Sequence, residues 1–254
     1  MALSLSSISV DTAVRAPRIL LLGTEKIGKT TFAASAPNPI FLSIRGEQGT
    51  DGLGVSKFPT IDTFTMLMEA IGVLAQDNHK YQTVVIDSVS TLETLIWQHV
   101  CKLDGKETIE RVLGGFHKGY GEALKYWRDM TDGLDYLREH KGMSSILIGH
   151  VKVKPFNDPL SEPYDTYIPT LNDKASAALM QWADTILFAN SKVSVQKMED
   201  VGTGRAKQIA ERKLFTQKRP AHPGGGRHVY GRIPYEIELS YDAFTKAVET
   251  ATSN

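Results

Sequence analysis

Four short stretches rich in Ile, Leu and Val punctuate the first 150 residues: RILLLG (18–23), PIFLSI (39–44), TVVID (83–87) and SSILIGH (144–150). Each is apolar nearly throughout rather than alternating, the pattern of a strand covered on both faces of a parallel sheet. Helical spacing fills the intervals: GKTTFAASA, TFTMLMEAIGVLAQ, then SVSTLETLIWQHVCKL with YGEALKYWRDMTDGLDYLREH. The alternation predicts an α/β fold with a mainly parallel sheet and right-handed crossovers. A fifth strand is expected at DTILFA (184–189), after a helix DKASAALMQW.

After residue 190 the pattern changes. SKVSVQKM, AERKLFTQK and RHVYGRIPYEIEL are short and alternating, with EDVGTGRAK and PAHPGGG between them. These segments predict C-terminal antiparallel strands or a hairpin, closed by a helix through YDAFTKAVET. The expected organisation is an N-terminal arm (1–16), a core (17–190) and a C-terminal β-hairpin extension with a terminal helix (191–254) that completes the same domain. The terminal ATSN reads as a frayed tail.

Composition narrows the function classes. Lys plus Arg and Asp plus Glu both total 29, so no bulk basicity advertises a polyanion partner, and any such contact has to be local. The single cysteine, Cys101, excludes an intramolecular disulfide and a multi-cysteine zinc site, which points to a reducing compartment. No stretch approaches the ~18 apolar residues of a membrane helix. The expectation is a soluble cytoplasmic protein with no membrane partner.

The chemistry begins at GTEKIGKTT (23–31), directly behind the first strand. Gly23, four residues, then Gly28, Lys29 and Thr30 match the P-loop pattern, and the strand before and helix after supply its context. In such a loop the backbone N–H groups of Gly23, Thr24, Glu25, Lys26, Ile27, Gly28, Lys29, Thr30 and Thr31 curl around phosphate. Lys29 reaches the β- and γ-phosphates of ATP, and the Thr30 hydroxyl is offered to Mg²⁺. TVVID ends in Asp87, the Walker B carboxylate that would hold Mg²⁺ through water. Its neighbour is Ser88, where many P-loop ATPases have a glutamate. Glu47, in RGEQGTDGL at the carboxyl edge of the sheet, is the candidate base for activating water.

These motifs, with HKGYGEAL, ILIGHVKVKPF and WADTILFA, resemble the RecA-like recombinase core, and more closely the phage-encoded RecA-like AAA-family ATPases implicated in single-strand annealing. The resemblance spans roughly residues 18–190. It implies a RecA-like P-loop NTPase core that hydrolyses ATP, binds single-stranded DNA and pairs complementary strands. Homo-oligomerisation, a possible single-strand DNA-binding protein as partner, and a host cytoplasm as location come with it. By position, Glu47 matches the water-activating glutamate and Asp51 the residue that contacts adenine. His150 stands where the group has a glutamine or asparagine sensing the γ-phosphate, which makes histidine a departure.

VKVKPFNDPLSEPYDTYIPTLND (151–173) reads as a long functional loop and occupies the DNA-loop position of RecA-like folds. Lys152, Lys154, Phe156, Tyr164 and Tyr167 combine cations for phosphates with rings for bases. A nucleotide lid or a subunit interface explains the same residues. A second basic cluster includes Arg212, Lys213 and Arg232. Within it Lys218, Arg219 and Arg227 are candidates either for the DNA backbone or for a finger into a neighbouring ATP site. Two other readings stay open: a P-loop kinase acting on a small molecule, and a nucleotide-gated assembly factor that binds no DNA.

Overall fold

A computed structural model of the chain describes Ser4 and residues 15–159, 162–196 and 207–253. Most of the expected arm, and EDVGTGRAK up to Ala206, lie outside the described residues.

Five parallel strands form where the continuous apolar runs stand: β1 (Arg18–Gly23), β2 (Pro39–Ser43), β4 (Thr83–Asp87), β5 (Ser144–Phe156) and β7 (Thr185–Gln196), with a two-residue β3 (Ser56–Lys57) beside β2. They order as β7-β1-β5-β4-β2-β3, so β1 is central and the chain reverses direction across the sheet on either side of it. Two apolar clusters cover the sheet. Leu20, Leu22, Val84, Ile86 and Leu147 face α2 (Phe64–Gln76), α3 (Val89–Asp104), α4 (Lys118–Lys141) and α5 (Asp173–Trp182). Ile19, Leu21, Val85, Ile146 and Ile148 face the other way, toward α1 (Lys29–Ala34) and α6 (Tyr241–Ser253). Consecutive residues of one strand are thus buried on opposite faces, which is why these runs carry no polar alternation. The helices start on side-chain caps where the sequence offers them: Thr63 accepts from Met66 N–H and Ser88 from Thr91 N–H.

The remaining strands correct the expectation in three places. The segment from Val151 is no irregular loop. β5 runs on to Phe156 and β6 (Tyr164–Pro169) returns antiparallel to it, pairing Val151 with Pro169 and Phe156 with Tyr164. Its alternating Val151, Val153 and Tyr167 is a period-two signal that the prolines obscure. DTILFA and SKVSVQ are likewise one strand, β7, so Asn190 lies inside it. Its far half pairs antiparallel with β8 (Lys207–Phe215), which pairs with β10 (Glu236–Glu238). β9 (Gly225–Gly226) pairs with the start of β7. RHVYGRIPYEIEL is not one strand: it holds a 3₁₀ turn, His228–Gly231, and then only the three-residue β10, since Pro234 has no N–H for a ladder. The expected frayed tail is helical as far as it is described: α6 continues to Ser253 with Ala251 buried.

A buried ion cluster ties the opposite end of the sheet. Asp184 accepts from Arg18 Nη2 at 2.8 Å and from Arg138 Nη2 at 2.9 Å, and Arg18 also reaches Asp135 at 3.1 Å. No helix among the described residues is long and apolar enough to cross a membrane.

Candidate functional site

The carboxyl ends of adjacent strands bring the expected chemistry together. Gly23 on β1 is in register with His150 on β5, and Asp87 on β4 with Ser43 on β2, just ahead of Glu47. Between Gly23 and α1 the chain turns through Lys26 at φ 56° and Gly28 at φ 117°, and Gly28 opens the helix without a side-chain cap. The left-handed Gly28 is what only glycine adopts without strain. α1 is six residues long, so its dipole is small; the backbone N–H groups and Lys29 supply the positive field.

Lys29 is folded back into the loop. Its Nζ donates to Gly23 O at 2.9 Å and Thr24 O at 2.7 Å and is 5% exposed. Burial pushes its pKa down to about 8, against the pull of Asp87, Glu47 and Glu25. The Thr30 hydroxyl donates to Asp87 Oδ2 at 2.9 Å. Burial pushes the Asp87 carboxyl up, a cost that the Thr30 hydrogen bond partly offsets. A carboxylate buried this way favours a cation beside it. The residues fit ATP and Mg²⁺: the loop N–H groups and Lys29 would hold the phosphates, and Thr30 and Asp87 the metal, which when bound neutralises phosphate charge.

Glu47 and His150 meet. Glu47 Oε1 accepts from Ser88 Oγ at 2.7 Å, from His150 Nε2 at 3.3 Å and from Thr91 Oγ1 at 3.4 Å. The His150 bond, aided by Ser88, holds the Glu47 carboxyl below the ordinary range although half-burial works the other way. All three donors fall on one oxygen, and no donor among the described residues reaches Oε2. The geometry favours the ionised carboxylate and leaves Oε2 without a donor among the described residues, an arrangement that suits a general base. His150 Nδ1 is buried with no partner among the described residues, while its backbone N–H donates to Ser90 Oγ at 2.9 Å.

Sequence reasoning underweighted Ser88, which caps α3 and also holds Glu47, and it missed Thr91 and Gly49. A Cβ at Gly49 would lie 2.6 Å from Thr30 Oγ1, so only glycine lets the 45–54 loop close onto the phosphate loop. The GEQG spacing was the one signal that pointed to it. Asp51 stands apart, exposed and paired with Lys57 at 3.1 Å. Glu25, Lys26 and Thr31 are exposed on the loop, Ile27 is buried, and Thr24 Oγ1 lies 3.5 Å from Asn190 Oδ1.

Beyond His150, the β5–β6 hairpin and the 216–223 turn enclose a groove of about 390 Å³ that shares no residue with the phosphate loop. Lys154, Phe156, Tyr164 and Tyr167 line one side, and Lys218 and Arg219 the other, while α5 closes the floor with Ala177 and Met180. Tyr167 N–H donates to Ala221 O at 2.9 Å, tying the two walls together. Arg219 is stacked over Tyr235 at 4.4 Å, and the buried His222 lies against Phe188 with ring centroids 4.8 Å apart. Two other candidates are not brought in. Lys152 lies outside the groove near Glu93, whose carboxylate accepts the Asn172 N–H at 2.9 Å. Arg227 is at the far end of the sheet, donating to Gln181 O and 4.0 Å from Asp184.

The sequence profile of the family described as AAA domain matches residues 15–228, well over half of the chain. The chain belongs to the AAA domain family. No curated protein matches it. The AAA domain is a nucleotide-binding P-loop ATPase domain, and the match takes in all four strands that carry the site, the hairpin and the 216–223 turn.

Proposed function

We propose that the protein is an ATP-hydrolysing, RecA-like machine that binds single-stranded DNA and promotes the pairing of complementary strands. The observation that carries the reading is the groove: cations and rings from two segments some 60 residues apart in sequence, Lys154 to Tyr167 and Lys218 to Arg219, line one open cleft. Rings and cations share its walls, the combination that stacks bases while neutralising phosphates without reading sequence. The cleft grows from β5, the strand whose residue His150 holds Glu47, so a strand of DNA seated there is one hairpin away from the water-activating carboxylate. The resemblance adds several copies acting together on one strand, with Lys218 or Arg219 facing a neighbour, whereas Arg227 is taken up by Gln181 O and Asp184.

An ATPase assay with and without a labelled single-stranded oligonucleotide tests this at low salt. ATP turnover stimulated by the oligonucleotide, with ATP-dependent retention of the label, is the expected result. Turnover that ignores the oligonucleotide, together with no shift of the label at any nucleotide state, would overturn the DNA half of the reading and leave the ATPase.

A further inference from the structure

The β7–β8 hairpin brings one more cation to the phosphate loop. Arg212 stands on β8 opposite Ser191, one rung beyond Asn190, the residue beside Thr24. Strand alternation sends Arg212 to the face of Leu214, which packs in the apolar cluster with α1 and α6. On that face it meets the bend of the loop: a Cβ on Gly28 would sit 3.6 Å from Arg212 Nη1. Gly28 is the residue at φ 117° from which the N–H groups of Lys29 and Thr30 follow. The neighbouring cations are committed, Lys213 to Glu211 at 3.0 Å and Lys192 to Glu236 at 2.7 Å. Arg212 is exposed and has no carboxylate partner among the described residues.

We propose that Arg212 binds the phosphate tail of the nucleotide held by its own chain, a role that rests on the nucleotide-binding reading above. A guanidinium presents a planar fork of donors that matches two phosphate oxygens at once, whereas the buried Lys29 supplies a single point charge from below. Since Arg212 reaches the loop of the same chain, its contribution needs no neighbouring subunit. That separates it from Lys218, Arg219 and Arg227, none of which approaches the loop.

ATP titrations of the full chain, read by calorimetry, test the assignment on R212A, R212K and K29A, with the melting temperature of each taken without nucleotide. Removing one exposed charge-assisted hydrogen bond predicts about tenfold weaker ATP binding for R212A, with R212K intermediate and the nucleotide-free melting temperature unchanged. ATP binding by R212A at wild-type strength, while K29A has lost it, overturns the proposal and keeps the nucleotide site. Wild-type binding by K29A as well overturns the nucleotide reading itself. A lowered melting temperature with equal losses in R212A and R212K assigns Arg212 a structural role instead. Mixing R212A with K29A copies is a further check: recovery of full-strength sites in the mixture would mean that Arg212 acts across subunits, against the proposal.

Discussion

The phosphate edge and the groove are a few residues apart on β5, yet they are built on opposite plans. At the edge, Lys29 and Asp87 are 5% and 3% exposed, and the groups that would meet the nucleotide are held in place: Lys29 by two carbonyls, Thr30 by Asp87, and Glu47 through one oxygen by three donors. In the groove Phe156 is 46% exposed, and Lys154 and Lys218 stand in solvent. A site that moves one proton at one atom needs geometry fixed before the ligand arrives. A site that holds a polymer of any sequence needs faces and charges instead, and fixed hydrogen bonds there would discriminate among bases.

The sharpest way to break the comparison is at Glu47. Glu47→Gln keeps the volume and the contacts with Ser88 and Thr91 but cannot accept a proton. Turnover is expected to fall by about 100- to 10,000-fold, with ATP affinity held within a few-fold, as single-turnover kinetics and a binding titration would report. Normal hydrolysis by this variant would remove Glu47 from the chemistry. Lys29→Ala comes next. Loss of the buried ammonium is expected to weaken ATP binding on the order of 100-fold, with the nucleotide-free fold retained by circular dichroism.

How far the two regions can be read from sequence differs for the same reason that they differ in build. The phosphate edge is local: GTEKIGKTT and TVVID each place their residues by strand, turn and helix, and the register of β1, β5 and β4 then sets them side by side. Glu47 and His150 are legible singly, but their contact goes with Ser88 holding the same Glu47 oxygen and with Gly49 closing over Thr30, which no spacing reveals. The groove is non-local. Its walls stand out in the sequence as two basic and aromatic segments, yet 151–169 reads as a loop because four prolines and several acids mask the strand alternation. Arg227 belongs to the same basic run as Arg219 and still folds to the opposite end of the sheet, onto Asp184. Charge density along the chain does not say which face a cation will occupy.

The proposal that the groove holds single-stranded DNA predicts that its variants behave as a polymer site does. Phe156→Ala or Tyr167→Ala is expected to weaken binding of a short oligothymidine about 5- to 100-fold, the cost of losing one stacked base, without changing ATP affinity. Arg219→Ala should act more through salt than through absolute affinity. Removing one cation from a phosphate lowers the slope of log affinity against log salt by about 0.7, which fluorescence anisotropy across a salt series measures. An undiminished slope in Arg219→Ala would place the phosphates elsewhere.

The smallest expected effect separates the two regions by pH. Burial leaves the Lys29 ammonium of the free protein with a pKa of about 8, below its ordinary value near 10.5. Bound phosphate is an opposite charge beside it and favours the protonated form, so the nucleotide-bound pKa lies higher than the free one. Below pH 7 both states carry the proton and ATP affinity is insensitive to Lys29. As pH rises through 8 the free protein gives up the proton and the complex keeps it, so binding takes up a proton and weakens, by at most about tenfold per pH unit. Calorimetry in two buffers of different ionisation heat reads this uptake directly: near zero at pH 6.5, rising toward one proton per site at pH 9. Lys29→Arg is the control, since a guanidinium stays charged in this range and should abolish the uptake even where its larger head weakens binding. Uptake that persists in Lys29→Arg would move the titrating group away from the phosphate loop, and with it the claim that this edge trades the solvation of its lysine for a phosphate site.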